Sequence, residues 1–109
     1  MTAEEILANA ADTVERGWCQ FTRNNRQQQH CILGALDLAV AGHTGCEDLL
    51  GFYQRGDLAR TILHAVAREL DLDDTNDFRT EGNIATWNNT EGRIAEEVAT
   101  TLRNAKRWL

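Results

Sequence analysis

Apolar positions recur at helical spacing in four stretches of the chain, separated by segments rich in polar and glycine residues. In the first stretch Ile6, Leu7, Ala10 and Val14 share a face, while Asp12, Glu15 and Arg16 take the other. Thr2 followed three residues later by Glu5 predicts a capping box, and Gly17 predicts the stop. Trp18-Cys19-Gln20-Phe21-Thr22 then breaks the helical period. Trp18 and Phe21 read as apolar anchors beside a solvated loop of Asn24, Asn25 and Gln27 to Gln29, where a short hairpin is only weakly signalled.

A second helix is expected from about Gln28 to Ala41. Ile32, Ala35, Leu36, Ala39 and Val40 give it a nearly continuous apolar face, with Asp37 as the one charge inside it, so it reads as the central helix. Gly34 costs a helix interior ~0.5–1 kcal/mol relative to Ala, which predicts close approach of another helix or of Trp18. Gly42, Gly45 and Gly51 punctuate the next segment, with Cys46-Glu47-Asp48-Leu49-Leu50 as a short helical piece docked by Phe52 and Tyr53. The third helix takes Asp57 as N-cap, buries Leu58, Ile62, Ala65, Val66 and Leu70, and ends near Asp71. The acidic stretch from Asp71 to Asp77 reads as a loop, and Gly82 to Asn88 as a single turn that plants Ile84 and Trp87 in the core. The fourth helix begins at Asn89 or Thr90 and carries Ile94, Val98, Leu102, Ala105 and Leu109 on one face. Arg103, Lys106 and Arg107 suit the negative end of its dipole. The expected fold is an all-α single domain over residues 1–109, a compact bundle of four main helices with one or two short extra helical turns.

Composition narrows the class. With 42% hydrophobic and 26% charged residues the chain is ordinary globular material. Seventeen acidic residues against eleven basic ones give a net charge of -6, the wrong sign for a generic binder of phosphate backbones, so no direct nucleic-acid contact is expected. No run of about 18 apolar residues exists to cross a membrane. The acidic opening Met1-Thr2-Ala3-Glu4-Glu5 is unlike a signal peptide, and the odd set Cys19, Cys31 and Cys46 argues against a disulfide framework. These features together lead to the expectation of a cytoplasmic chain with free thiols.

A Trp18-containing turn precedes Cys31-Ile32-Leu33-Gly34-Ala35-Leu36, and Trp87-Asn88-Asn89 then leads into Arg93 and Val98. In this order the features resemble a small uncharacterised helical domain family of actinobacteria and their bacteriophages, a domain of unknown function. The resemblance covers roughly Ile6 to Ala105. It implies a phage or actinobacterial origin and supplies no activity to carry over.

Candidate chemistry divides three ways. Cys31 near a helix N-terminus is a conceivable nucleophile, with His64 (or His30 or His43) as base and Asn88 as orienter; the bland alternative is a small core residue beside Gly34. Trp87, Asn88 and Arg93 could stand at the mouth of a pocket for a small ligand or nucleotide. Asp71, Asp73, Asp74 and Asp77, in a segment from Glu69 to Glu81 that holds six carboxylates against Arg79, could face a basic partner, with Trp108 beside Arg107 as an interface residue or one folded back on helix one. No metal is expected. His43-x-x-Cys46 is a chelating spacing, but no Cys-x-x-Cys pair supports it and Cys31 lies on a different predicted helix face from His30, while a calcium loop counted from Asp71 meets Asn76 and Gly82 where Gly and Glu belong. No cofactor motif is present. The favoured reading is a small acidic binding protein that modulates a host or defence protein by contact; a homodimer is compatible with it.

Overall fold

A computed structural model gives the structure of the chain and describes residues 1–43 and 50–109. Among the described residues five α-helices stand in order: α1 (Ala3–Arg16), α2 (Ile32–Ala41), α3 (Asp57–Glu69), α4 (Asp77–Asn88) and α5 (Ala95–Asn104). Two 3₁₀ turns, Phe52–Arg55 and Ala105–Trp108, complete the set. The fold is all-α as expected, but with five main helices rather than four. The piece expected at Cys46 to Leu49 lies outside the described residues.

α1 starts where its capping box predicts. Glu5 N–H donates to Thr2 Oγ1 at 3.1 Å, and Thr2 N–H donates to Glu5 Oε1 at 3.1 Å. α2 begins four residues later than expected. Gln28 adopts a left-handed φ of 59°, and Cys31 is the extended N-cap (φ -75°, ψ 176°). The residues ahead of α2 run alongside the end of α1 through isolated bridges of His30 with Trp18 and Asn24, and there is no strand among the described residues.

The extra helix is α4. Its inward positions are Thr80, Ile84 and Asn88, one apolar residue between two polar ones, so its hydrophobic period is nearly silent. Asn76 caps it by accepting Arg79 N–H at 3.0 Å. Asn89, expected to open the last helix, instead closes α4. Gly92, at φ 84°, turns the chain, and α5 starts after Ile94. Gly56 rather than Asp57 caps α3.

α1 packs on α2 and α5, and α3 packs on α4 and both 3₁₀ turns. Ile6, Leu7, Val14, Ile32, Leu36, Phe52, Ile62, Leu63, Ile84, Val98 and Leu102 fill the core between them. Burying each such side chain contributes about 1.5–3 kcal/mol. Several residues expected on buried faces are elsewhere: Leu58, Ile94 and Leu109 are exposed, Phe21 stands out in solvent, and Leu70 is half-buried. No described helix is long and apolar enough to cross a membrane.

Candidate functional site

The connection between α1 and α2 is long and polar, yet it is laced to the body. His30 N–H donates to Gly17 O (2.9 Å), Cys19 N–H to His30 O (3.2 Å) and Cys31 N–H to Arg23 O (3.3 Å). Asn25 Oδ1 takes the amides of Gln27 and Gln29 at 3.0 Å. Gly34 is what lets the strap lie flat on α2. A Cβ at that position would sit 1.9 Å from Arg23 O, so the expected close approach is real, and its agent is the loop backbone rather than a helix or Trp18.

Asn88 fastens the strap from the end of α4. It is fully buried, and its Oδ1 accepts Trp18 Nε1–H at 2.7 Å and Ile32 N–H at 3.1 Å. Its Nδ2 donates to Cys19 O at 3.2 Å and Asn89 Oδ1 at 3.1 Å. Ile32 N–H is one of the first-turn donors of α2 that no intrahelical carbonyl can satisfy, so Asn88 caps α2 from another helix. Gln20 Nε2 adds bonds to the carbonyls of Asn88 and Thr90.

Drawn tight at both sides, the strap puts Phe21 in the left-handed region at φ 72°, where its N–H donates to Asn89 Oδ1 at 2.8 Å. For a bulky residue that conformation is a true outlier costing of order 1–3 kcal/mol. The ring gains no burial in return, since Phe21 is 78% exposed. Phe21, Thr22, Arg23, Cys31, Leu33, Ala85, Asn88 and Asn89 surround a cavity of about 160 Å³. In the first turn of α4 Phe78 is 73% exposed, and a Cβ at Gly82 would meet nothing within 4 Å.

Beneath the strap lies a buried ion network. Asp37, the lone charge of α2, is fully buried and receives Arg23 Nη1 at 2.6 Å and Arg55 Nε at 3.0 Å. Arg23 Nη2 also reaches Glu81 at 3.0 Å, and Tyr53 N–H donates to Glu81 Oε1 at 3.1 Å. Burial works against the Arg23 charge, but Asp37 and Glu81 outweigh it and raise its pKa.

The candidate nucleophile trio is only partly brought together. Cys31 and Asn88 line the same cavity, whereas His64 lies on α3 in a different groove. The Asn88 amide is consumed by the strap. Burial pushes the Cys31 thiol up, against the lowering pull of the Gly34 and Leu33 amides, so the helix N-terminus does not yield a ready thiolate here. Trp87 and Arg93 line a groove of about 410 Å³ that does not include Asn88, which is turned inward. Arg93 stacks on Trp87 at 4.1 Å, donates from Nε to Trp87 O at 3.1 Å and pairs with Glu97 at 2.9 Å.

The acidic stretch is half occupied. Asp74 pairs with His64 (3.3 Å) and Arg68 (3.2 Å), and Asp77 with His64 (2.7 Å) and Arg60 (2.9 Å). The His64 hydrogen bond and Arg60 hold Asp77 below its ordinary range. Asp73 is lowered by Thr75, whose N–H and hydroxyl both donate to it. Asp71 is exposed at a left-handed φ of 56°. Trp108 is 45% exposed, and its Nε1–H donates to Glu69 of α3 at 3.0 Å beside the Arg107–Glu69 pair.

Sequence reasoning passed over Phe21 as a surface residue, together with Arg23, Glu81 and Phe78. The readable signal was Asp37, because a single charge inside an apolar helix face requires a partner. The model of a family of unknown function (DUF6197) matches residues 1–107. No curated protein and no solved structure matches the chain.

Proposed function

We propose, for a chain that belongs to the family of unknown function DUF6197, that it is a small binding protein acting by direct contact with another protein. The observation that carries this reading is Phe21, held at φ 72° by the Asn88–Asn89 fastening yet 78% exposed. Strain maintained without burial is retained where it serves a contact. Exposed aromatic rings are the residue type that anchors interfaces. The adjoining cavity of about 160 Å³ is below the roughly 300–1,000 Å³ of small-molecule pockets and suits one inserted partner side chain. The net charge of -6 favours a protein over a nucleic acid as partner. The setting that fits the sequence is the cytoplasm of an actinobacterium or of its phage-infected cell. The partner there is a host or defence protein whose action the contact modulates.

Of the acidic residues, Asp71 and Asp73 stay exposed and available to a basic surface of the partner, since Asp74 and Asp77 are engaged internally. The test is affinity capture from an actinobacterial lysate with the wild type, Phe21→Gly and the double variant Asp71→Lys/Asp73→Lys. Glycine relieves the backbone at position 21, so that variant should melt no lower than the wild type. The expected result is one stoichiometric partner, lost with Phe21→Gly and weakened by salt and by the charge reversal. A partner retained at full strength by Phe21→Gly would overturn the assignment of this face. A blank capture combined with rapid alkylation of Cys31 in the folded protein would favour a cysteine enzyme instead.

A further inference from the structure

Along α3, charged groups alternate in a ladder: Arg60, Asp77, His64, Asp74, Arg68. The three bases lie one helical turn apart on α3, and the two carboxylates come from the acidic segment and the start of α4. His64 is the middle rung. Its Nε2 is 2.7 Å from Asp77 Oδ1, and its Nδ1 is 3.3 Å from Asp74 Oδ2. A carboxylate only accepts, so the ring must donate on both sides to make both bonds. The imidazolium has two N–H groups and the neutral ring has one.

We propose that His64 is a proton-operated clasp: the charged ring holds Asp74 and Asp77 together, and loss of one proton to water releases Asp74 alone. The closer contact decides which bond survives. The remaining proton stays on Nε2 for Asp77, and the Nδ1 lone pair then opposes Asp74 Oδ2. Asp77 also keeps Arg60 Nε at 2.9 Å, so the start of α4 stays anchored. Asp74 keeps Arg68, a half-exposed side chain, as its partner. The backbone beneath does not follow, because the Thr75 N–H and hydroxyl both donate to Asp73 Oδ1, at 3.0 and 2.8 Å, and Thr80 Oγ1 donates to Asn76 O at 2.8 Å. The other groups facing the ring are Arg60 and Arg68, Asp57 at 3.7 Å from Arg60, and the Trp108 indole across the groove. Arg107 on the Trp108 turn is taken by Glu69. Opening the clasp leaves Asp74 with the half-exposed Arg68 alone, beside the exposed Asp71 and Asp73, so the acidic surface is stronger once the ring has lost its proton. This inference is independent of the assignment of the Phe21 face.

The test tracks the His64 ring ¹⁵N and the aspartate carboxyl ¹³C resonances of the intact chain across pH. The Asp74 carbon is expected to move with the ring, and the neutral ring to be the Nε2–H tautomer. The Asp74 response should be lost completely in His64→Gln, which retains an amide donor but cannot titrate. A neutral ring protonated on Nδ1, or an Asp74 carbon that ignores the ring, would overturn the clasp. Should the variant fail to fold, the wild-type tautomer and the Asp74 carbon decide the matter by themselves.

Discussion

Replacing Asn88 with Ala tests whether one side chain fastens the strap to the bundle. The change deletes four hydrogen bonds: to Trp18 Nε1, Ile32 N, Cys19 O and Asn89 Oδ1. Ile32 N–H is buried at the start of α2 and would have no acceptor, at about 1–3 kcal/mol. The remaining groups are partly buried and water can reach some of them, so about 0.5–1.5 kcal/mol each bounds their share. The sum is about 2.5–7.5 kcal/mol, a large part of the ~5–15 kcal/mol that holds a domain of this size. A chain of this length loses roughly 4 °C per kcal/mol, so the midpoint should fall by about 10–30 °C. Circular dichroism gives the midpoint, and indole fluorescence reports Trp18 separately. Asn88→Asp keeps the acceptor but sets a carboxylate against Cys19 O and Asn89 Oδ1, so it should be as damaging. A melt of Asn88→Ala within about 3 °C of wild type would refute the reasoning, because it would mean that the strap is held elsewhere.

Other changes should be equally legible. Gly34→Ala places a methyl group 1.9 Å from Arg23 O, where only backbone can yield; a melt well below wild type and a strap displaced by NMR are expected, and an unchanged spectrum counts against the close approach. Asp37→Ala removes the buried carboxylate that Arg23 and Arg55 both reach, at about 3–5 kcal/mol by urea denaturation; a loss below about 1 kcal/mol would count against the network. The depressed carboxyls of Asp77, Asp73 and Glu15, the last held by Arg103, contribute stability fully present above their unfolded values of about 4 and lost as pH falls through the lower folded ones. The melting temperature should therefore stay level down to about pH 5 and drop below about pH 4; a level profile to pH 3 would contradict those pairings.

Helices with a strong apolar stripe were readable, and α1 was readable down to its capping box. α4 was not, because two of its three inward residues are Thr80 and Asn88, buried through hydrogen bonds rather than apolar area. The last helix was started too early for the same reason: Asn89 has the chemistry of an N-cap but serves as the end of α4. The left-handed turn at Phe21 is fixed by Asn89, 68 positions downstream, and no local propensity announces it, whereas the one at Gln28 closes locally on Asn25. Phe21 accordingly read as a core anchor. The pairing of the acidic segment was closer to hand. Arg60, His64 and Arg68 form a basic stripe on α3, and setting it beside Asp74 and Asp77 would have shown where half of that charge goes.

The bonds that fasten the strap join residues far apart in the chain: Trp18 and Gln20 meet partners 68 to 70 positions downstream. Loops closed over such distances form late, since the entropy of closure must be met before any contact rewards it. On the ribosome the consequence is an order of events. α1 and α2 can coil as they emerge, but the segment between them has no acceptor for the Trp18 indole until Asn88 has been made. Through most of synthesis Arg23 and Asp37 lie open to water and Phe21 is free to leave its left-handed backbone. The exposed aromatic face is therefore among the last features of the molecule to exist, and a nascent chain halted before residue 88 would carry every residue of the cavity's strap side without its shape.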